Sequence, residues 1–181
     1  MSGWNLDNAN LSFGRLHGAI LTEAQLNSVL LDGADLSDAI LVDALLIRSS
    51  LINVNLQGAN LTGSRLDSAE LSGADLQDAV LAFSSLEGTD LRGAKLNRAR
   101  LPGADLDESM LQGADLRRAD LRAATLRGAD LRGADLSNAL LLGAEMTGAT
   151  VQSAKWFDTE CPDGTNSDAN GGTCEGHLEV E

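Results

Sequence analysis

Few side chains in this 181-residue chain could do chemistry, and they lie far apart. His17 sits near the start and His177 near the end, at opposite ends of the repeat. Nucleophilic catalysis needs a base within hydrogen-bond reach of the attacking atom, and a metal needs several converging ligands. No Cys/His cluster, phosphate loop or nucleophile elbow occurs, so no catalytic, metal or cofactor site is expected. Asn166, Asp168, Asn170 and Gly171 stand at calcium-loop spacing, but the twelfth position, where such a loop wants Glu, is His177. Asn-rich loops are more simply turns. Cys161 and Cys174 bracket that same loop of Gly, Asn, Asp and Pro and read most simply as a disulfide. A disulfide would imply an oxidising compartment such as a periplasm, a lumen or the exterior; without it, a cytoplasmic location is expected.

The elements that hold these residues follow from a single pattern. Every fifth residue from Leu6 to Leu141 is leucine, 28 in all without a skip, and Met146 and Val151 continue the register to Trp156. Two residues before each rung sits a small residue: of the 30 such positions from Trp4 to Ala149, 21 are Ala and four are Ser. The unit is A-(D/N)-L-x-G or close to it, as in Ala114-Asp115-Leu116. Five residues match neither the 3.6-residue helical period nor the two-residue strand period. The repeat is therefore a small supersecondary unit, and such units stack as solenoids. Within a unit the Leu and the small residue two before it share an inward face. The residues flanking the Leu point out. The next residue turns the corner, and Gly fills 13 of the 30 corners.

These residues resemble the pentapeptide-repeat family over roughly 4–158, and the tail is similar to segments that follow the repeats in some bacterial, including cyanobacterial, members. The resemblance implies an all-β fold, a right-handed quadrilateral parallel β-helix with four units per coil. Thirty units would make about 7.5 coils, a tube about 36 Å long at the ~4.8 Å spacing of stacked strands. Two regions are expected: the β-helix over 1–158 and a capping tail over 159–181. Trp4, too large for the small-residue column, is expected to lid the first coil, and Trp156 and Phe157 to close the last.

Composition narrows the function classes. Net charge is −14, and the last 26 residues carry seven acids and no Lys or Arg. Acids are interleaved with bases and aromatics are only 3%, which argues against nucleic-acid binding. No run of 18 apolar residues occurs, so no membrane helix is expected, and Met1–Asn10 lacks the charged-then-apolar pattern of a signal peptide. Asp115/Arg117, Asp120/Arg122 and Asp130/Arg132 alternate around outer rungs and should form solvated ladders between coils.

One outer side breaks the polar pattern. Ile20, Ile40, Val42 and Val80 flank its rungs, with Phe83 at its corner, and Leu45, Ile47 and Ile52 follow on adjoining positions. Contiguous apolar surface marks interfaces, so this strip, although interrupted by Asn60, Thr62, Arg100 and Asp120, is the candidate interaction surface, for a homodimer or another protein. The expected function is a non-enzymatic scaffold or protein-interaction module. The alternative implied by the resemblance is an acidic mimic of duplex DNA that binds a type II topoisomerase such as gyrase and protects it from inhibitors.

Overall fold

The computed structural model describes residues 3–178. The chain winds as a β-helix whose extended segments are single parallel bridges between residues 20 apart, from Asn5↔Gln25 to Leu140↔Glu160. Four corners separate each pair; Glu23, Ser28, Gly33 and Asp38 lie between Ile20 and Ile40. One coil therefore takes 20 residues and four units. Each side is too short for more than one bridge, because two of its five residues are spent on the turn.

The five-residue unit is explained by where its amides go. The rung donates one coil onward, as Leu26 N–H does to Leu45 O at 2.7 Å. The residue before a rung donates one coil back, as Leu45 N–H does to Ala24 O at 2.9 Å. The corner donates onward, Ser28 N–H to Ile47 O at 3.0 Å, and the small residue closes the turn, Val29 N–H to Leu26 O at 3.3 Å. That accounts for four amides of five. The fifth, just after the rung, faces outward without a backbone partner.

The Asp or Asn before the rung supplies that partner. Asp35 Oδ1 accepts from Ser37 N–H at 3.1 Å, Asn60 Oδ1 from Thr62 N–H at 3.1 Å, and Asp130 Oδ1 from Arg132 N–H at 3.2 Å. Elsewhere a carboxylate one coil earlier does so, as Asp32 does for Ile52 N–H at 2.9 Å. The bonds two residues apart are Asx-turns, which Asp and Asn form because their short side chains reach the backbone two residues on. Where Asp or Asn stands before a rung, backbone satisfaction accounts for it, and part of the chain's acidity is structural.

All 30 corners from Asn8 to Ser153 have φ between +54° and +75°, although 17 of them are not Gly. Left-handed backbone costs a non-glycine residue roughly 1–2 kcal/mol. The sequence marks only the glycines, yet the strain is uniform because the inter-coil hydrogen bonds leave the corner no other conformation.

The rungs from Leu26 to Leu141 are fully buried, each worth roughly 1.5–3 kcal/mol of transfer free energy. Two serines in the small-residue column are satisfied locally, the Ser64 and Ser84 hydroxyls donating to Leu61 O and Leu81 O at 2.7 and 2.8 Å, whereas the buried Ser109 hydroxyl has no partner among the described residues.

The register runs one unit beyond Trp156. Thr159 and Cys161 take the small and rung positions, both inaccessible, and Glu160 bridges Leu140. The chain then reverses: Asn166 pairs antiparallel with Glu160. A single-turn 3-10 helix, Ser167–Asn170, follows and ends on left-handed Gly171; a second spans Glu175–His177. Cys161 and Cys174 are disulfide-bonded with Cα atoms 5.5 Å apart, so the tail is clipped to the last rung.

Candidate interaction surface

The two histidines lie in separate environments. His17 Nδ1 is 2.9 Å from Ser37 Oγ and 4.0 Å from Asp38 Oδ2, an apparent Ser-His-Asp grouping. A catalytic relay needs serine and carboxylate on opposite ring nitrogens. Here both face Nδ1, and the Ser37 hydroxyl already donates to Asp35 at 2.7 Å. His177 pairs with Asp163 at 2.5 Å in the tail. Hydrogen bonds from the Thr165 hydroxyl and amide, with His177 beside it, hold the Asp163 carboxyl down at about 2.

The calcium-like residues are used within the tail's own backbone. Asn166 caps the first 3-10 helix by accepting from Asp168 N–H at 2.9 Å, and its amide donates to Asp158 at 3.0 Å. Asp168 accepts from Asp158 N–H at 3.0 Å, and the Asn170 amide donates to Thr165 Oγ1 at 2.6 Å. Among the described residues no group of three or more His, Cys, Asp or Glu converges as a metal site would require.

Charge pairing differs from the expected inter-coil ladders. Asp90–Arg92, Asp115–Arg117, Asp120–Arg122 and Asp130–Arg132 close within one unit, across their own rung, at 2.5–2.6 Å. The Asx-turn brings the aspartate side chain over the amide of the arginine two residues on, so the fork meets the carboxylate locally. Those guanidinium hydrogen bonds hold the Asp90, Asp115 and Asp120 carboxyls below the ordinary range. Lys95–Asp75, Arg98–Asp78 and Arg127–Asp107 do cross to the previous coil, at 3.1, 2.6 and 3.3 Å.

Of the expected apolar positions, Ile20, Ile40 and Val80 share one side of the tube, in a column broken by Asn60 between Ile40 and Val80 and by Arg100 and Asp120 between Val80 and Leu140. Ile20 bridges Ile40, and both are exposed, Ile20 by 56%. Val80 is exposed further along, and Phe83 at its corner is 73% exposed. Leu140 and Leu142 are exposed at the far end. Val42 is half-buried on the same side; Leu45 and Ile47, half-buried, lie one corner away. Ile52 does not join them. Two corners, Asp43 and Arg48, separate it from Val42, which puts it on the opposite side of the four-cornered coil. There it lines a polar cleft with Ser68, Glu70 and Arg92. Phe13, 79% exposed, and Leu30 are further exposed apolar residues among the described ones, but Leu30 lies on the opposite side, in the column of Asn10 and Ser50.

The end caps are unequal. Trp156 is 3% exposed over the last coil, whereas Phe157 is 66% exposed, since the residue after a rung points out. At that end Leu178 of the tail packs, partly buried, against the core. Trp4 is 48% exposed, and Leu6, Leu11 and Leu16 are only partly buried, so Trp4 does not seal the first coil. Its carbonyl accepts from Gln25 N–H at 2.8 Å as any small-column residue would, but an indole does not fit inside.

Comparison with known proteins agrees with this geometry. The pentapeptide-repeat family model matches as eight copies within residues 1–38, 30–67, 44–82, 84–122 and 119–155. No curated protein sequence matches. Among solved structures, the chain is similar to HetL, a pentapeptide-repeat protein involved in heterocyst differentiation regulation from the cyanobacterium Nostoc, at 28% identity over 91% of this chain and 92% of that one, with a TM-score of 0.48. It is similar to Rfr23 from the cyanobacterium Cyanothece at 33% identity over 50% and 58%, TM-score 0.45. A trypsin-treated form of QnrB1, a plasmid-mediated fluoroquinolone resistance protein, shares the fold at 14% identity over 86% and 89%, TM-score 0.64. By its repeat and by the family model that matches most of its length, the chain belongs to the pentapeptide-repeat family.

Proposed function

We propose that this protein is a non-enzymatic interaction scaffold that pairs with a second copy of itself through its apolar side. The observation that carries the reading is three groups of exposed apolar residues on one side, separated by Asn60, Arg100 and Asp120: Ile20 and Ile40 near one end, Val80 and Phe83 midway, Leu140 and Leu142 at the other. A two-fold axis through the middle would set apolar ends against apolar ends, as an isologous interface requires. The right-handed winding of the coil follows from family membership and from the hand of parallel crossovers in general. Light scattering tests the pairing. Wild type should show roughly twice the 18.9 kDa chain mass. Ile40→Lys with Val42→Lys should return it to the monomer, and equal masses would overturn the reading.

A second reading, an acidic mimic of duplex DNA acting on a type II topoisomerase, draws support from the net charge of −14 and the rod-like repeat. It is the weaker of the two, because many aspartates are committed to Asx-turns and arginine pairs. Supercoiling by gyrase unchanged at high protein concentration would end it. We further infer an oxidising compartment, since the disulfide would be reduced in a cytosol. Alkylation of the thiols in freshly lysed source cells would contradict that.

A further inference from the structure

Six residues along one edge of the tube form a grid two wide and three coils tall: Asn97 and Arg98, Arg117 and Arg118, Ser137 and Asn138. Backbone bonds stitch it together, Arg98 N–H to Arg117 O at 2.9 Å and Arg118 N–H to Ser137 O at 3.0 Å. The six line a cleft of about 330 Å³ with no carboxylate on its wall, in a chain of net charge −14. Two of the guanidiniums are fixed from behind. Arg98 holds Asp78 at 2.7 and 2.6 Å, and Arg117 holds Asp115 at 2.7 and 2.6 Å.

Arg118 is different. Of the nine bases from Arg92 to Arg132, seven have a carboxylate within 3.3 Å. Arg100 and Arg118 have none among the described residues, and Arg100 still acts electrostatically on Asp120. Arg118 stands between two other guanidiniums with no counter-charge. A guanidinium has five N–H donors, and a bidentate pair uses two, so Arg98 and Arg117 keep donors to spare. Asn138 adds an amide. The Asn97 amide and Ser137 hydroxyl are spoken for by Gln77 and Asp135.

We propose that this cleft is an anion site for a phosphate group, with Arg118 as the principal donor and Arg98 and Arg117 as its pre-oriented flanks. A compact dianion with several acceptor oxygens can meet three guanidiniums at once. An extended polyanion could not continue along the edge, because Asp78 and Asp158 occupy the same corner column on either side and Asp115 and Asp135 lie beside it. The group can be a free ion or a phosphorylated side chain of a partner.

The test is nuclear magnetic resonance titration of the full chain, following arginine Nε and asparagine amide signals. Inorganic phosphate should shift Arg118 and Asn138 saturably, and sodium chloride at matched ionic strength should not. Arg118→Asn keeps a residue type suited to the left-handed corner and should weaken binding at least roughly tenfold, the loss of a charge-assisted bond. Arg48→Asn, at another corner arginine without a carboxylate partner, should leave binding unchanged. A phosphoserine peptide binding about tenfold tighter than inorganic phosphate identifies a phosphorylated partner as the source; equal or weaker binding identifies the free ion. Shifts that are absent, reproduced by chloride, or unaltered by Arg118→Asn overturn the proposal.

Discussion

The ring of Phe83 occupies the space that a Cβ on Gly103, one coil onward, would need: the two would come within 2.9 Å. Phe13 stands in the same relation to Gly33, at 2.8 Å. At both aromatic corners the ring leans toward the next coil, and Gly stands 20 positions later. Gly103→Ala would add left-handed strain, at φ +64°, to displacement of the ring. The expected loss is about 1–3 kcal/mol in urea denaturation. Phe83→Ala should leave stability nearly unchanged, because the ring is mostly in solvent. A neutral Gly103→Ala would contradict the leaning geometry.

The Asx-turns give a sharper test of why the chain is acidic. Asp35 accepts from both the amide and the hydroxyl of Ser37, and the hydroxyl bond, with the amide bond second, holds its carboxyl below the ordinary range. Asp35→Asn keeps the acceptor and should melt like wild type, whereas Asp35→Ala should melt measurably lower. If charge rather than the acceptor mattered, the two substitutions would behave alike in thermal unfolding.

Removing the clip should loosen the capped end. Cys161 is also a rung, so Cys174→Ser with Cys161→Ala tests the loop closure while keeping a small apolar group in the column. The 13-residue separation predicts a loss of about 3 kcal/mol. Hydrogen exchange should show the last unit and tail opening before the central coils. Uniform protection in the cysteine-free variant would mean that the tail does not cap.

Acid should release the tail through Asp163. Its folded value of about 2 lies below the ordinary 3.8. The group therefore stabilises the fold fully above 3.8, and that contribution is lost as pH falls from 3.8 toward 2. Asp163→Asn should flatten this acid limb in a melting-temperature profile. An unchanged limb would assign it to other carboxylates, such as Asp90, Asp115 and Asp120.

Much of the fold was legible because one constraint repeats. Leu at every fifth place with a small residue two before it admits one inward face, and the 20-residue bridges and buried rungs carry it out. The corner strain at Arg48 or Ser68 was not legible, because only glycine advertises positive φ. The pairing of Asp115 with Arg117 within one unit depends on the Asx-turn, which becomes visible only once the free fifth amide is identified. Ile52 was grouped with Val42 because the two are close in sequence, but two corners carry it to the opposite side. Phe157 was read as a cap from its residue type, when its place after a rung already pointed it outward. Trp4 failed as a lid because a carbonyl can join the first coil while its indole stays out.

Small-angle X-ray scattering tests the central claim most directly, because it reports mass and shape together. Side-by-side pairing through Ile20, Ile40, Val80 and Phe83 should double the forward scattering of the Ile40→Lys, Val42→Lys variant. The rod should thicken in cross-section and keep nearly the same maximum dimension. A doubled length would place the contact at the tube ends, and forward scattering equal to the variant's would mean that the apolar side pairs with no second copy; either result would contradict the account.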